Sequence, residues 1–483
     1  MSLVLVNEKQ SDSPAPTPPP PPPLGRLLET LALEDLANES AELASFAEIR
    51  DSGVVASYNW VVVEGSDSKI LIPGKPRRWT PPTPPRIVDV LQDTGIFYSD
   101  KNAARCPNHP MEPAVIACLD ADPTLPSKVD VMACGSTLGN LLRFACGEDR
   151  SFRILVEKVK NTVFFIRREN SPKQVIPNVK GFGHTFPEAC TTWETDVEGS
   201  ESHQRMIRYN FGQLNFVVRS EADGYLSPNS EPLPTKSAPD SVSAGKGKEQ
   251  DKPPVERSVE DLVALASNML LAAQIGTGMS SSGAVQTKRG GSPVDQQQVF
   301  EIETRNNRVQ QPEVNLGDEL LSRLWVSQVP NLILAFHRHG RFKPEDIIVQ
   351  DVRRDVARWE EENVKDLTLL AAVVRRIIKS VSAAPNGKLE LCQATAGILE
   401  VREQLPYAGT VLSPEVRARW ERATAVSTTK KQCEQNDDFL MEKDGVSDEW
   451  ESDPESETEW DDGDGKDFTA CSETCGYCGR CSY

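Results

Sequence analysis

The pattern of apolar and polar positions predicts both strands and helices along this chain. Two runs rich in β-formers within 53–73 flank the turn residues GSDS and predict a hairpin. FRILVEKV and NTVFFIRRE predict two more strands joined by a short polar turn, and LNFVVRSEADGY predicts a buried strand that emerges at a site. Further strands are predicted for VFEIETR, NLILAFHRHGRF and EDIIVQDVRR.

Helical periodicity appears in separate blocks between these strands. Residues 26–50 predict a helix with a leucine stripe, and CGSTLGNLLRF predicts a turn that leads into a closely packed helix. LGDELLSRLWVSQV, DVARWEEENVKDLTLLAAVVRRIIKSV and KLELCQATAGILEVREQL predict three more helices. The expected fold class is therefore α+β, with a mixed sheet flanked by helices.

Stretches rich in proline, serine, glycine and charge divide the chain into ordered and disordered units. The predicted units are a proline-rich disordered start at 1–25, the first part of one core at 26–226, a disordered insertion with one helix (VEDLVALASNMLLAAQI) at 227–296, the second part of the core with C-terminal helices at 297–425, an acidic disordered tail at 426–468 and a cysteine-rich tail at 469–483.

The formal net charge of −19 is concentrated near the C-terminus. Residues 434–467 hold 16 acidic and 2 basic side chains, and such a run stays solvated through self-repulsion. Since the rest of the chain is only mildly acidic, RNA is not excluded as a ligand. The proline-rich start, the insertion helix and the acidic tail are candidate sites for protein partners.

The N-terminal sequence MSLVLVNEKQ is too short and too soon acidic for a signal peptide, and no transmembrane segment is predicted. We therefore expect a nuclear or cytoplasmic protein that is not secreted and does not bind a membrane. In those compartments the 11 cysteines are expected to be reduced thiols or metal ligands.

Two short acidic motifs each end an apolar strand. VVRSEADGYL contains Glu221 and Asp223, and VFEIETR contains Glu301 and Glu303. Residues two apart on a strand face the same way, so each pair presents two carboxylates on one side. Mg²⁺ and Mn²⁺ bind such oxygen ligands, and a bound cation promotes phosphodiester hydrolysis. Either motif alone is also typical of a solvated strand face.

Here the sequence resembles the decapping exoribonuclease (DXO) family of PD-(D/E)XK nucleases, which act on RNA 5′ ends. GHTFPEACTTW is similar to its G-x-x-F-E block, VVRSEADGY to its E-x-D strand and VFEIETR to its E-x-K-T strand. LSRLWVSQVPNLILAFHRHGRF is similar to its Trp-x-x-Gln helix and the strand that follows. The resemblance is remote and covers roughly residues 90–382.

The resemblance implies a PD-(D/E)XK-like core with an acidic Mg²⁺ or Mn²⁺ site. It implies that Gln328 orients the substrate or the attacking water. It also implies four metal ligands, acting directly or through water, which are Glu188, Glu221, Asp223 and Glu301.

The chain departs from the family pattern at two positions. Glu303 stands where the family has the lysine that polarises the attacking water, and Pro187 displaces Glu188 by one residue. Glu303 then has two interpretations: it acts as a general base, or it marks a degenerate core that does not catalyse.

Several basic side chains lie near these motifs in the sequence. The candidate substrate-binding residues, which can also be ordinary surface or structural residues, are Arg167, Arg168, His203 and Arg205.

The last residues of the chain hold a cysteine cluster with the spacing C-x₃-C-x₂-C-x₂-C. Four thiolates at this spacing are candidates for a zinc or iron–sulfur site, although the spacing matches no standard zinc ribbon. The alternative is a redox-sensitive tail. The cysteines concerned are Cys471, Cys475, Cys478 and Cys481.

The sequence thus supports two functions from different classes. The first is a metal-dependent nuclease that acts on RNA 5′ ends, with Glu303 and Gln328 as candidate catalytic residues. The second is a non-catalytic interaction module that keeps the nuclease fold. A prenyl diphosphate synthase is not supported, because only one aspartate-rich run is present and it lies in the acidic tail.

Overall fold

The structure is a computed structural model, and it describes residues 19–62, 68–82, 86–177, 179–227, 284–306 and 316–423. Most of the proline-rich start, the insertion helix, the acidic tail and the cysteine cluster lie outside these residues. Among the described helices, none combines the length and the hydropathy needed to cross a membrane.

Strands dominate the described part of the chain. They are β1 (Leu27–Ala32), β2 (Arg50–Val61), β3 (Lys69–Pro73), β4 (Arg78–Trp79), β5 (Val88–Asp89), β6 (Val131–Cys134), β7 (Phe152–Val159), β8 (Thr162–Arg167), β9 (Thr191–Thr192), β10 (Ser200–Phe211), β11 (Leu214–Glu221), β12 (Gly224–Tyr225), β13 (Gln286–Gly290), β14 (Val299–Asn306), β15 (Asn331–Arg338), β16 (Arg341–Asp351), β17 (Lys388–Thr395) and β18 (Ile398–Glu403). The helices are α1 (Ala37–Ala41), α2 (Lys101–Arg105), α3 (Glu112–Ala121), α4 (Gly135–Ala145), α5 (Thr185–Cys190), α6 (Asp318–Ser327), α7 (Arg353–Glu362) and α8 (Val364–Ala383).

The described strands form two mixed sheets. The first sheet has the order β1-β18-β17-β7-β8-β6-β11-β10-β2-β3-β13, and the second has the order β5-β16-β15-β14-β12-β4-β9. Most neighbours are antiparallel, but five pairs are parallel: β6 with β8, β6 with β11, β14 with β15, β12 with β4 and β13 with β3. The expected mixed sheet flanked by helices is confirmed.

Apolar cores cover both faces of the first sheet. On one face, residues of α4 and α8 pack against β7, β8, β10 and β11. On the other face, α3 packs against β2 together with a helix at residues 414–423, whose Trp420 is fully buried. The first sheet is thus the central layer of the fold.

The second sheet also buries both of its faces. Phe300 and Ile302 of β14 lie in one core, and Val299 lies in another core with Leu324 of α6. Because successive side chains of a strand point to opposite faces, Glu301 and Glu303 lie on the same face as Val299, towards α6.

The chain passes from the first sheet to the second between β11 and β12. Glu221 ends β11 in the first sheet, and Gly224 begins β12, where it pairs with Phe300 of β14. Asp223 lies between the two strands. The acidic E-x-D motif therefore spans the junction of the two sheets, although a single strand was expected to carry both acids.

Several predicted elements are confirmed at their positions. The hairpins β2–β3 and β7–β8, the strands β11 and β14, the antiparallel pair β15–β16 and the helix α4 all form where the pattern predicts them. The long helix predicted after β16 is interrupted at Asn363 and forms α7 and α8.

One predicted helix is wrong, and another is confirmed only in part. The segment from Lys388 forms the hairpin β17–β18, in which Leu389 and Leu391 alternate into the core and Gly397 adopts φ 69° at the turn. The segment 26–50 begins with β1, which pairs with β18, and its helical part is limited to α1 and short 3₁₀ turns. The apolar runs that form β1, β17 and β18 are short, and their local pattern suits either structure until a neighbouring strand completes the hydrogen bonding.

A strand also lies inside the segment that was predicted to be a disordered insertion. β13 lies within the predicted insertion and pairs in parallel with β3 at the edge of the first sheet. Its side chains are mainly exposed, so the hydrophobic pattern gives no signal for a strand there.

We predict that Gly224→Ala destabilises the protein by about 1–3 kcal/mol. A Cβ at this position would lie 2.3 Å from Cζ of Phe300 and 2.7 Å from the carbonyl oxygen of Arg77, so β12 would have to move. Urea unfolding measures the change. Gly53→Ala in β2 is the matched control, because its Cβ would meet only Nε of Arg208, at 3.7 Å. Equal stability of the two variants would contradict the prediction.

Candidate active site

A cavity of about 230 Å³ lies where the two sheets meet. The C-terminal end of β11, the start of α2, one face of α4 and one face of α6 contribute to its walls. Its charged lining residues are the acids Asp100, Glu221, Asp223, Glu301 and Glu319 and the bases Lys101, Arg143, Arg167, Arg219 and Arg323.

Three of the four predicted metal ligands line this cavity. Glu221 comes from β11, Asp223 from the junction and Glu301 from β14. The backbone N–H of Ile302 donates to Oδ2 of Asp223 over 2.7 Å, which holds Asp223 beside Glu301. This hydrogen bond thus connects the two acidic motifs.

Asp223 is crowded by other carboxylates. Burial and the neighbouring charge of Glu301 raise the pKa of Asp223 to about 7, and Glu221 adds to the increase. The Ile302 N–H and Arg323 act in the opposite direction but do not cancel it. Neighbouring like charges of this kind favour a shared proton or a bound cation.

Arg323 of α6 bridges both acids of the E-x-E motif. Its Nε donates to Oε2 of Glu301 over 2.9 Å, and its Nη2 donates to Oε2 of Glu303 over 3.2 Å. The hydroxyl of Ser327, one turn later on α6, donates to Oε1 of Glu301 over 3.2 Å. Glu301 and Glu303 are 8% and 9% exposed, so their charges depend on these partners.

Glu221 has a basic partner of its own. Nζ of Lys101, at the start of α2, donates to Oε1 of Glu221 over 2.7 Å, and Nε2 of Gln204 lies 3.4 Å from Oε2. Burial acts to lower the pKa of Lys101, but the hydrogen bond and charge of Glu221, with the charges of Glu201 and Asp223, raise it overall. Lys101 therefore stays protonated.

The residues that line the cavity do not include Glu188 and Gln328. Glu188 is exposed on the short helix α5. Gln328 follows α6 with φ 54°, and its Nε2 donates to the carbonyl oxygen of Trp325 over 2.6 Å. Their ligand and orienting roles remain predictions. Glu303 also does not line the cavity.

Of the four candidate substrate-binding residues, Arg167 alone lines this cavity. Arg168 lies over the ring of Tyr407, with 5.7 Å between the guanidinium carbon and the ring centroid. His203 and Arg205 are 1% and 2% exposed on the opposite face of β10 from Gln204.

Both buried residues of β10 make internal contacts. Nδ1 of His203 lies 2.6 Å from Oδ1 of Asn59, and burial lowers the pKa of His203 well below its usual value. Arg205 donates from Nε to Gln296 over 3.0 Å and from Nη2 to the carbonyl oxygen of Val294 over 2.9 Å. These contacts fasten the segment before β14 to β10.

Several basic residues of the cavity carry little or no signal in the sequence. Arg219 lies two positions before Glu221 on β11, so the two-residue period of the strand could have identified it. Lys101 and Arg143 lie on separate helices and carry no local signal. Arg323 lies on α6, five residues before Gln328, and only the packing of α6 against β14 brings it to the site.

Within the described residues, no group of three or more histidine, cysteine, aspartate or glutamate side chains is close enough to hold a metal ion. A pair of carboxylates is still sufficient for Mg²⁺ or Mn²⁺, which usually keeps several waters and binds substrate phosphate as well. Asp223 and Glu301 form such a pair, and their crowding is the condition that a cation relieves.

Comparison with solved structures finds similarity to Rai1 and Dxo1 proteins. S. pombe Rai1 is 9% identical, with 78% of this chain and 99% of that chain covered and a TM-score of 0.44. Candida albicans Rai1 in complex with pU5-Mn²⁺ is 10% identical, with 84% and 100% covered and a TM-score of 0.44. K. lactis Dxo1 in complex with manganese is 8% identical, with 82% and 97% covered and a TM-score of 0.41.

The fold defines a mixed α/β protein, with large mixed sheets flanked by helices. The chain belongs to the family described as "Domain of unknown function (DUF8563)", whose model matches residues 41–392. No curated protein matches the sequence.

We predict that Asp223 makes stability fall as the pH rises, when no metal is present. The folded-state pKa of about 7 lies above the ordinary value of 3.8, so between these values the folded state binds a proton that the unfolded state has released. Rising pH removes this stabilisation. As the pH rises from 5 to 8, the free energy of unfolding of Asp223→Asn should therefore increase by about 1–3 kcal/mol relative to that of the wild type. The size follows because one pKa unit is worth about 1.4 kcal/mol.

Urea unfolding in a chelator at the two pH values measures this difference. The matched control is Asp355→Asn on α7, whose side chain is 38% exposed and lies 4.0 Å from Arg358. The control should follow the pH dependence of the wild type. If Asp223→Asn changes the free energy of unfolding by the same amount at pH 5 and pH 8, the raised pKa of Asp223 is contradicted.

Proposed function

We propose that this chain is a divalent-cation-dependent phosphodiesterase that acts on RNA 5′ ends. The observation that carries the proposal is the convergence of Glu221, Asp223 and Glu301, from both sheets and the junction between them, on one cavity that also presents basic side chains. The choice of RNA 5′ ends follows from the motifs that resemble the decapping exoribonuclease family.

Asp223 and Glu301 are the residues that would hold the cation, with Glu221 contributing directly or through water. Their oxygen donors suit Mg²⁺ or Mn²⁺ rather than a soft metal. A bound cation would supply a Lewis acid that generates hydroxide from water and offsets charge on the phosphate.

The other cavity residues bind and orient the substrate in this proposal. Lys101 and Arg167 line the wall, and guanidinium and ammonium groups bind phosphate oxygens. In the hydrolysis, the water oxygen forms a bond to phosphorus as the bond to the leaving oxygen breaks. One water proton passes to that leaving oxygen, and the other passes to solvent through a cavity carboxylate.

A second function is favoured by one observation. Arg323 pairs with both Glu301 and Glu303, and Glu303 is not among the residues that line the cavity. This arrangement is compatible with a non-catalytic module that keeps the fold and binds a partner or a phosphorylated ligand. The two functions differ in whether bound RNA is cleaved.

We predict that purified full-length protein binds Mn²⁺ in calorimetry and releases nucleotides from 5′-modified RNA. Asp223→Asn should weaken Mn²⁺ binding by about tenfold or more and lower the cleavage rate by about 10²-fold, because it removes one of two charged ligands. Asp355→Asn, on the surface of α7, should change neither quantity.

The outcomes separate the two functions. Mn²⁺ binding that is lost in Asp223→Asn, together with cleavage, supports the phosphodiesterase. RNA binding without cleavage at millimolar Mn²⁺ supports the non-catalytic module. Glu188→Gln tests the fourth predicted ligand in the same assays, and unchanged Mn²⁺ affinity would remove Glu188 from the site.

A further inference from the structure

The E-x-E motif of β14 places two like charges on one face of a strand. Glu301 and Glu303 are almost fully buried and lie on the face towards α6. Two buried carboxylates in this arrangement need a compensating positive charge, since an unpaired buried charge is costly. The strand itself supplies Arg305, whose Nε lies 3.9 Å from Oε1 of Glu303.

Arg323 supplies the second positive charge and is the one that reaches the cavity. It contacts both glutamates, and unlike Glu303 and Arg305 it lines the cavity. Helix geometry explains the position: Leu320 and Leu324 are buried against the second sheet, which turns the adjacent Arg323 towards β14.

Arg323 and a cation can occupy the site together. Arg323 donates to Oε2 of Glu301 and Ser327 donates to Oε1, which uses one acceptor position on each oxygen. Each carboxylate oxygen can accept at a second position, so Glu301 can bind a cation while it keeps both hydrogen bonds.

For the group formed by Arg323, Arg305 and the three carboxylates near them, the charges also balance when a substrate is added. Asp223, Glu301 and Glu303 carry three negative charges when ionised, and Arg305 and Arg323 carry two positive charges. A divalent cation makes the group positive by one unit, which matches the single negative charge of a phosphodiester.

We infer that Arg323 is the residue that contacts the scissile phosphate at this site, and that Glu303 is a positioning residue that directs the guanidinium. The arginine thus supplies, from a helix, the positive charge that β14 lacks at residue 303. This inference rests on the proposed function, which it deepens by assigning the phosphate-binding group.

The test uses full-length protein with three readouts. Calorimetry measures Mn²⁺ affinity without substrate, and fluorescence anisotropy measures binding of a 5′-phosphorylated phosphorothioate RNA in Ca²⁺. The third readout is the cleavage rate of the unmodified RNA in Mn²⁺. The variants are Arg323→Met, Arg323→Lys and the double variant Glu303→Lys with Arg323→Met.

For Arg323→Met we expect about a 10²-fold slower cleavage rate and about tenfold weaker RNA binding. Mn²⁺ affinity should stay equal or increase, because the carboxylates lose a competing positive charge. Arg323→Lys should recover part of the cleavage rate. The double variant should also recover part of it, because the lysine at residue 303 restores a positive charge on the strand.

Two controls keep the test interpretable. Arg358→Met on α7 removes an exposed arginine and should match the wild type in all three readouts. The double variant Glu303→Gln with Arg323→Met removes one buried acid together with the arginine, so it leaves fewer unpaired charges. It therefore tests the loss of the guanidinium if Arg323→Met alone does not fold.

Three outcomes would overturn the inference. If Mn²⁺ affinity and cleavage fall together in Arg323→Met, the arginine only holds Glu301 in place. If both rise, it competes with the cation. If RNA affinity and cleavage do not change, it does not contact phosphate.

Wild-type protein that binds RNA without cleaving it contradicts the proposed phosphodiesterase, and the anisotropy of Arg323→Met then still decides the role of Arg323.

Discussion

The hydrogen bond from the backbone N–H of Ile302 to Asp223 is the interaction on which the arrangement of the cavity depends. It forms where the chain leaves the first sheet after Glu221 and enters the second sheet at Gly224. Gly224 has no side chain, which allows Phe300 and the backbone of Arg77 to pack closely against it. The two acidic motifs meet because this close approach joins the sheets.

Burial at this junction makes the carboxylates interdependent. Glu221 is paired with Lys101, and Glu301 shares Arg323 with Glu303, whereas Asp223 has a neutral N–H as its direct partner. Asp223 therefore has the raised pKa. A site that concentrates unbalanced charge in this way is unfavourable for folding but favourable for binding a cation, and such conflicts between stability and local charge are typical of functional sites.

The glutamate at residue 303 has a different meaning once α6 is in place. On the sequence alone, an acid at the position of a family lysine indicates either a general base or a degenerate core. In the structure Glu303 is buried beside Arg305 and Arg323, and the positive charge nearest to Glu301 comes from the helix instead of the strand. Either proposed function must therefore explain why the positive charge beside Glu301 lies on α6 and not at residue 303 of β14.

By itself the sequence determined the mixed fold class, most strands that alternate strongly, the helix after β6 and the two acidic motifs, because these follow from local periodicity. The same period could have identified Arg219 beside Glu221. It did not determine β1 or the β17–β18 hairpin, since short apolar runs become strands only when a partner strand completes their hydrogen bonds. The tertiary structure alone decided that His203 and Arg205 are buried and that Lys101 and Arg323 reach the carboxylates. Lys101 is 120 residues from Glu221 in the chain, and contacts over such a separation depend on how whole elements pack, which no local pattern records.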